Sequence, residues 1–413
     1  MRRADPRKLY YAVEFVTAAA TGWVVFDLYL VRSLQLSPLQ LILMGTAMEA
    51  TIFVCEVPTG VVADTYSRRL SWIVGTLGMG AAVVAVGLSS APWLVIALWG
   101  FWGLAYTFTS GAWEAWIADE IGAENVGSLF LRGTRVSYVG AFAGLGLWVA
   151  VGTWSLRVAV IGGGALQVAL GFACILAMPE TGFRRAPRSE RDLRRTAANG
   201  IRFVRAQTLV LLLVATELFA GFGAEAFDRL TEAHVIRDVG IPSGINPVFA
   251  FGVVSALTMA FGFFAVARVI RRVDRGGTPT VARMLVLFTA ATIAGQIVFA
   301  LAGSFGFVMV VFLAAVIARG LLAPLYSTWL NRQITDSSVR ATVLSISGQA
   351  NAIGQATGGP VLGAIGNGFG IPAALTTGAL FLLPALGLYA RALRHDGVEP
   401  ELEELPQTVE AVA

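Results

Sequence analysis

The 413-residue chain is too apolar for an ordinary water-soluble protein. Apolar and aromatic residues make up 56% of it and charged residues only 14%, and its mean hydropathy is +0.72, which excludes an average soluble domain. Its two histidines lie outside the apolar runs and its two cysteines lie far apart within them, which excludes a disulfide framework and a Cys/His metal or nucleophile site. The net charge of +4 comes from arginines in bands between apolar runs. We therefore expect an integral membrane protein that is not an enzyme, has no cofactor and does not bind nucleic acid.

Apolar runs predict the number and order of the membrane helices. A transmembrane helix needs about 20 largely apolar residues, and runs bounded by polar or Pro/Gly breaks meet this requirement twelve times. The predicted helices are 9–31, 39–63, 70–89, 93–117, 132–152, 157–178, 208–233, 247–269, 280–302, 306–330, 340–364 and 372–393. The first could also be a signal peptide, but its apolar stretch contains Glu14 and Asp27 and is too long. The sequence predicts an all-α membrane protein with twelve transmembrane helices.

Positive charges are strongly biased to one side of these helices. With the N terminus inside, 25 of the 30 Lys and Arg residues fall in the N-terminal tail, the inner loops, the longest connection and the C-terminal end. Four arginines fall outside, at Arg32, Arg157, Arg229 and Arg237, and Arg319 lies within helix 10. Because positively charged loops stay in the cytoplasm, both termini are predicted to be cytoplasmic in a multi-pass protein of the cytoplasmic (inner) membrane.

One long connection divides the chain. Residues 180–207 carry eight arginines against three acids, which predicts a basic cytoplasmic linker lying on anionic membrane lipids. It separates an N-terminal six-helix bundle over 1–179 from a C-terminal six-helix bundle over 208–394, and an acidic cytoplasmic tail follows over 395–413.

Internal repetition supports this division. RGTRVSYVG (132–140) matches RATVLSISG (340–348) at Arg, Thr, Ser and Gly, and the Phe-Asp pair at Asp27 matches the pair at Asp228. Both offsets are near half the chain length, as in transporters built from duplicated halves. The two bundles are therefore predicted to be pseudo-symmetric.

The short loop after helix 2 carries the most specific motif. Its sequence GVVADTYSRR (60–69) places Gly60, Asp64, Arg68 and Arg69 at the spacing of the signature G-x-L-A-D-R-x-G-R-R. With twelve predicted spans, a basic linker and a duplication, the chain resembles the major facilitator superfamily. The resemblance implies two six-helix halves that rock about a central site lined by helices 1, 4, 7 and 10, with helices 2 and 11 meeting between the halves.

Three further stretches, 110–120, 225–242 and 340–366, are similar to the bacterial drug:proton antiporters of that superfamily. The arginine of the antiporter signature in helix 4 is missing, because that stretch reads Trp99-Gly-Phe-Trp-Gly103. Arg319, on the repeat-related helix 10, is the cation placed deep in a predicted span.

Ionisable residues within the spans are the candidates for proton coupling, because each costs about 2.5–3.5 kcal/mol on insertion scales. Glu49 and Glu217 are predicted about 15 Å into their helices, and Arg319 lies at a depth comparable with Glu217. We expect Glu217 and Arg319 to be neighbours, either as a pair whose proton occupancy changes during transport or as a permanent ion pair. Asp27 and Asp228 complete the set, although their positions near the outer ends also suit solvated or capping roles.

Aromatic and polar residues predict the substrate cavity. Trp102, Tyr106 and Trp113 share a stripe of helix 4 and are expected to form a wall for a lipophilic ligand, with lipid contact as the alternative. Polar groups on helices 7 and 11 complete the predicted cavity, namely Glu225, Asn351 and Gln355.

Charged residues near the inner face predict a gate that holds the outward-facing state closed. The loop with Asp64 is expected to contact the inner ends of helices 4 and 11, and Gly60 is expected to allow a close helix approach. The predicted inner gate comprises Gly60, Asp64, Arg68, Arg69, Glu114, Asp119, Arg132, Arg135 and Arg340.

These features together favour proton-coupled efflux of lipophilic or amphiphilic small molecules by alternating access. The predicted partners are the small-molecule substrate, protons and membrane lipids, and the protein is expected to be a monomer. A transporter of a specific lipid, siderophore or secreted metabolite is the first alternative, and a non-transporting membrane receptor is the second.

Overall fold

The computed structural model describes residues 4–184, 198, 200–334 and 337–396, and no strand occurs among them. Eleven helices in this part are long and apolar enough to cross a membrane. We label them, with the more polar helix α11, as α1 (Pro6–Ser33), α2 (Pro38–Thr65), α3 (Arg68–Leu88), α4 (Pro92–Ile121), α5 (Val126–Trp154), α6 (Leu156–Ala177), α7 (Thr208–Val239), α8 (Pro247–Val273), α9 (Pro279–Leu301), α10 (Phe305–Gln333), α11 (Ser337–Phe369) and α12 (Ile371–Arg394). The predicted all-helical membrane protein is confirmed, whereas the count of twelve spans stays a prediction.

The connections define two ends of the bundle. The α2–α3 turn at Tyr66 and Ser67 lies at the end where the chain leaves α6 and enters α7, and we call it the linker end. The α1–α2 and α7–α8 connections lie at the opposite end, called the far end. Most of the basic part of the predicted linker, 185–197, and the predicted tail from 397 onward lie outside the described residues.

Two helices that the sequence predicted as continuous are interrupted inside the bundle. In α1, helical geometry stops after Ala20 and resumes at Trp23, and the Thr21 hydroxyl turns back to donate to the Thr17 carbonyl oxygen at 2.9 Å. In α4 the break falls at Gly111, whose φ of +70° is a left-handed conformation that glycine adopts without steric cost. The continuous forms of predicted helices 1 and 4 are therefore wrong.

The distribution of buried apolar residues shows where the halves α1–α6 and α7–α12 meet. One core cluster is shared by both halves and includes Phe26, Ile42, Leu230 and Phe251. At the linker end each half has its own cluster, one around Trp116 in α4 and another around Trp329 in α10. The shared core holds the halves together toward the far end, and the separate cores leave them apart at the linker end.

Small residues and polar links complete the far-end contact. A Cβ added at Gly363 of α11 would lie 2.7 Å from a methyl carbon of Leu39 in α2, so the two helices approach closely there. The Leu39 N–H donates to the Asn367 side-chain oxygen at 3.0 Å. Arg237 of α7 donates to the Leu36 carbonyl oxygen at 2.8 Å. These contacts all join the two halves at the far end.

The close packing of α7 on α11 gives a test of the fold. A Cβ added at Gly221 would overlap the Asn351 carbonyl oxygen, whereas one added at Gly262 meets no atom within 4 Å. Because overpacking costs about 1–3 kcal/mol, Gly221→Ala should lower the apparent unfolding temperature of the detergent-solubilised protein. Gly262→Ala is the matched control and should leave it unchanged or slightly raised. Equal unfolding temperatures for the two variants would contradict the α7–α11 packing.

Candidate transport cavity

A cavity of about 840 Å³ lies between the two halves. Its walls at the linker end include Phe53 of α2 and Leu344 of α11, which are 41% and 36% exposed. At the other end it stops against the shared apolar core. The cavity is therefore open at the linker end and closed at the far end.

Aromatic rings form one wall of this cavity. The rings of Trp99 and Trp102 stack with centroids 5.3 Å apart, and Trp102 stacks in turn on Tyr106 at 5.6 Å. Trp23, which follows the break in α1, packs edge-on against both tryptophans. The structure thus brings the predicted Trp102 and Tyr106 to the cavity, and sequence analysis missed Trp23 and Trp99 because it followed a single stripe of α4.

Trp113 does not belong to that wall, contrary to the sequence prediction. The left-handed Gly111 breaks α4 between Tyr106 and Trp113, so a stripe drawn along a continuous helix does not apply. Trp113 is buried in the N-terminal half, where it stacks on Tyr10 at 5.3 Å and donates to the Glu14 carboxylate at 2.8 Å.

Carboxylates make up most of the charge around the cavity. The acids that line it are Asp27, Glu49, Glu56 and Glu217, and the base that lines it is Arg229. An excess of negative groups favours positively charged ligands in a site of low dielectric constant. The cavity therefore combines an aromatic wall with an acidic lining.

Glu217 is held by α11. Its carboxylate accepts a hydrogen bond from the Asn351 amide at 2.8 Å, and Gln355 donates to the Asn351 side-chain oxygen at 2.7 Å. All three side chains line the cavity, as the sequence placed them, and their roles stay predictions. The expected neighbour of Glu217 was Arg319, and that pairing is wrong.

Arg319 of α10 instead pairs with Asp228 of α7. The two terminal guanidinium nitrogens each donate to one carboxylate oxygen, Nη2 to Oδ2 at 2.6 Å, a two-point geometry suited to arginine and carboxylate. The expected outer-end position of Asp228 fails because α7 runs to Val239 rather than ending near 233. Asp228 lies about 16 Å inside the end of the helix and is 38% exposed.

A second charged pair on α7 lies beside the cavity. Glu225 is completely buried and does not line the cavity, so its predicted place in the lining is wrong. Its Oε2 lies 3.9 Å from Nε of Arg229, one helical turn later. A Cβ added at Gly45 of α2 would lie 2.6 Å from each of these two atoms. The pair therefore packs directly on the N-terminal half.

Arg229 is a charged functional candidate that sequence analysis missed. The charge count placed it on the outer side because it lies only four residues before the predicted end of helix 7 at 233. It lies inside α7 and lines the cavity. The spacing of four residues from Glu225 could have indicated the pair, because i and i+4 share a helix face.

The predicted inner gate is partly assembled. Arg68 lies 3.2 Å from Asp64 and 2.6 Å from Asp119 of α4, and Arg69 donates to the Ile175 carbonyl oxygen at 2.6 Å. The hydrogen bonds of Arg68 and Arg69 that the described residues make end within the N-terminal half or on Glu180, just after α6. The loop thus contacts α4 as expected, while these two arginines do not hydrogen-bond to the described residues of α11.

The remaining gate candidates lie apart from this cluster. A Cβ added at Gly60 would meet no atom within 4 Å, so the close helix approach expected there is wrong. Arg340 donates to the Ile334 carbonyl oxygen in its own half at 3.2 Å. The other three are exposed, namely Glu114, Arg132 and Arg135.

Similar proteins were found by sequence and by structure. The family model described as Major Facilitator Superfamily matches residues 11–295. An uncharacterized MFS-type transporter, YxaM, of Bacillus subtilis (strain 168) is 23% identical over 396 residues, covering 92% of this chain and 94% of that protein.

Two solved structures share the fold at low sequence identity. The nucleoside transporter NupG matches with a TM-score of 0.77 at 14% identity, covering 96% of this chain and 100% of that one. A bacterial homologue of the human lysosomal transporter Spinster, inward-facing and unoccupied, matches with a TM-score of 0.72 at 15% identity, covering 94% of this chain and 96% of that one. With a family model that spans most of its length, this chain belongs to the Major Facilitator Superfamily and is a multi-pass membrane transporter rather than an enzyme.

Proposed function

We propose that this transporter exports lipophilic or amphiphilic small molecules, positively charged ones above all, in exchange for protons. The observation that carries the proposal is the cavity between the halves, with stacked aromatic rings on one wall and four carboxylates against one guanidinium around it. Aromatic faces bind organic cations. The carboxylates supply both counter-charge for the substrate and groups able to exchange a proton.

The proposed orientation follows from the positive-inside rule. The linker end carries most of the Lys and Arg residues and would face the cytoplasm, with both termini inside the cytoplasmic membrane and the basic linker on its lipids. In this orientation the described state is open to the cytoplasm and ready to load substrate. We further propose the two-bundle division at 180–207, twelve spans and a monomeric working unit.

Two alternatives use the same architecture. A specific lipid, siderophore or secreted metabolite in place of drug-like compounds would need a narrower ligand set in the same cavity. A receptor that does not transport would bind ligand without flux. Because the solved neighbours include a nucleoside transporter, nucleosides belong in any panel of test ligands.

Inside-out vesicles from a host without its own efflux pumps test the function. We expect ethidium and tetraphenylphosphonium to accumulate only with an imposed proton gradient, and collapse of the gradient to release them. Vesicles without the transporter are the control. Accumulation of a nucleoside or a metal-free siderophore instead would favour the first alternative, and binding without flux would favour the receptor.

The Asp228–Arg319 pair gives a second prediction. Both residues lie within membrane-spanning helices, where an unpaired charge is costly, so Asp228→Asn and Arg319→Gln should each abolish transport and lower stability. The double variant removes both charges and should recover stability and downhill exchange. If the pair takes part in coupling, this double variant will still fail to accumulate ethidium against a gradient. Recovery of uphill transport would show that the pair only holds α7 against α10.

Arg68 gives a third prediction, on the gate. Its side chain is 17% exposed and those of its two acid partners are 25% exposed, so their ion pairs contribute only about 0.2–1 kcal/mol each. Arg68→Gln should therefore change the unfolding temperature little but slow ethidium accumulation at least tenfold, because closure at the linker end loses its cation. Arg283→Gln, an exposed change at the same end, is the control. Transport at the wild-type rate by Arg68→Gln would remove this cluster from the gate.

A further inference from the structure

We propose that Glu225 is the proton-binding site of this transporter and that its proton decides whether Arg229 binds within its own helix or across to the N-terminal half. The inference rests on the proposed proton coupling and names the group that carries the proton. Sequence analysis named Glu217 and Glu49, and not Glu225, for this role.

The surroundings of Glu225 suit a carboxyl group that gains and loses a proton. Its exposed fraction is 0%, and neither carboxylate oxygen has a hydrogen-bond partner among the described residues. Nε of Arg229 lacks one as well, and the 3.9 Å separation of the two groups is too long for a hydrogen bond. An ionised carboxylate buried without hydrogen bonds is strongly disfavoured, so a carboxyl group at this position readily takes up a proton.

Charged groups approach this site from four helices. Arg229 and Asp228 come from α7 itself, Glu49 from α2 and Arg319 from α10. Asp27 of α1 interacts electrostatically with Arg229 and lines the same cavity, and Glu232, three residues after Arg229 on α7, lies near both. The stretch of α11 from 342 to 369 carries no charged residue. Arg229 is therefore the cation that acids of both halves share.

The positions of the two side chains explain how a proton could move Arg229. Glu225 lies behind Arg229, which itself lines the cavity together with Asp27 and Glu49. Gly45 of α2, which has no side chain, lies directly against the pair. When Glu225 is ionised, it attracts Arg229 along α7. When Glu225 is neutral, the acids of α1 and α2 are the stronger partners.

This choice of partner couples proton binding to opening in the direction that antiport requires. Arg229 bound to Asp27 or Glu49 links the halves on the far-end side of the cavity and favours the state that is open to the linker end. Loss of the proton into the cytoplasm returns Arg229 to Glu225, weakens the link and favours opening of the far end. A proton taken up from outside therefore closes the far end after substrate has left, and one proton enters in each export cycle.

Infrared spectroscopy of the purified transporter tests the site without any substrate. When the pH of the wild-type sample is lowered, the difference spectrum should show the C=O stretch of a newly formed neutral carboxyl group. We expect a band without hydrogen-bond shift to vanish in Glu225→Gln and to persist in Glu217→Gln. Glu225→Asp, which keeps a titratable group, should show the band at a shifted frequency and confirms that the site tolerates substitution. Persistence of the wild-type band in Glu225→Gln overturns the proposal.

Accessibility at the far end tests the link to Arg229. With Cys55 and Cys174 replaced by Ala, Leu36→Cys should react with a membrane-impermeant maleimide faster at high pH than at low pH, once its rate is divided by that of the exposed far-end variant Ser243→Cys to correct for ionisation of the thiol. Glu225→Gln should remove this pH dependence and keep the slow rate, whereas Gly45→Ala should displace the pair and alter it. Gly262→Ala is the control and should react as wild type. Unchanged pH dependence in both Glu225→Gln and Gly45→Ala would contradict the switch.

Transport by the same variants separates this proposal from the proposed function. If wild-type vesicles accumulate ethidium only with a proton gradient and Glu225→Gln does so equally, proton coupling stands and the Glu225 assignment fails. If wild-type accumulation ignores the gradient while the infrared band depends on Glu225, the proton site stands and the proposed antiport fails.

Discussion

The unfavourable placement of charge inside apolar, membrane-spanning helices is the constraint on which the rest of this structure depends. Asp228 and Arg319 satisfy it by pairing at two points, whereas Glu225 and Arg229 lie 3.9 Å apart and satisfy it only partly. A pair that is fully satisfied by hydrogen bonds stabilises one arrangement, and a partly satisfied, buried one is open to an alternative partner. For Arg229 the alternative partners belong to the other half of the protein. Charge burial at this point therefore connects local protonation to the global arrangement of the halves.

The apolar cores determine which end can move. A core shared by both halves closes the far end, while the linker end has separate cores that keep each half intact on its own. Rocking about the cavity would leave the two separate cores undisturbed and would expose only part of the shared one. The helix breaks at Thr21 and Gly111 lie in two of the helices that line the cavity, where irregular backbone is tolerated inside a membrane protein because it lines a cavity.

Much of the fold could be predicted from the sequence, because apolar length and the motif at 60–69 depend on composition and local spacing. The helix ends were harder. An apolar run does not show that α7 continues through Arg237 to Val239, because the charge of Arg237 is satisfied by a tertiary contact with the Leu36 carbonyl oxygen. That boundary error placed Asp228 near the outer end of its helix and left Arg229 counted with the outer arginines.

Residues of the site could be predicted only where they share one face of a regular, unbroken helix. Asn351 and Gln355 share such a face of α11 and lie in the cavity. Trp113 does not, because a single left-handed glycine redirects α4. The partner of Arg319 depends on the relative depth of two helices, and depth estimated from helix ends carries the errors of those ends. Breaks in the helical backbone and the relative depth of neighbouring helices depend on tertiary structure, so the periodicity of apolar residues does not predict them.

Distances between the halves at both ends test the account most directly. Spin labels at exposed positions, Ser90→Cys with Ser243→Cys at the far end and Ser128→Cys with Arg272→Cys at the linker end, would be measured by pulsed electron paramagnetic resonance in nanodiscs at high and low pH. Alternating access set by proton occupancy predicts reciprocal changes: at low pH the far-end distance shortens and the linker-end distance lengthens. Distances that stay fixed, or that change in the same direction at both ends, would contradict it.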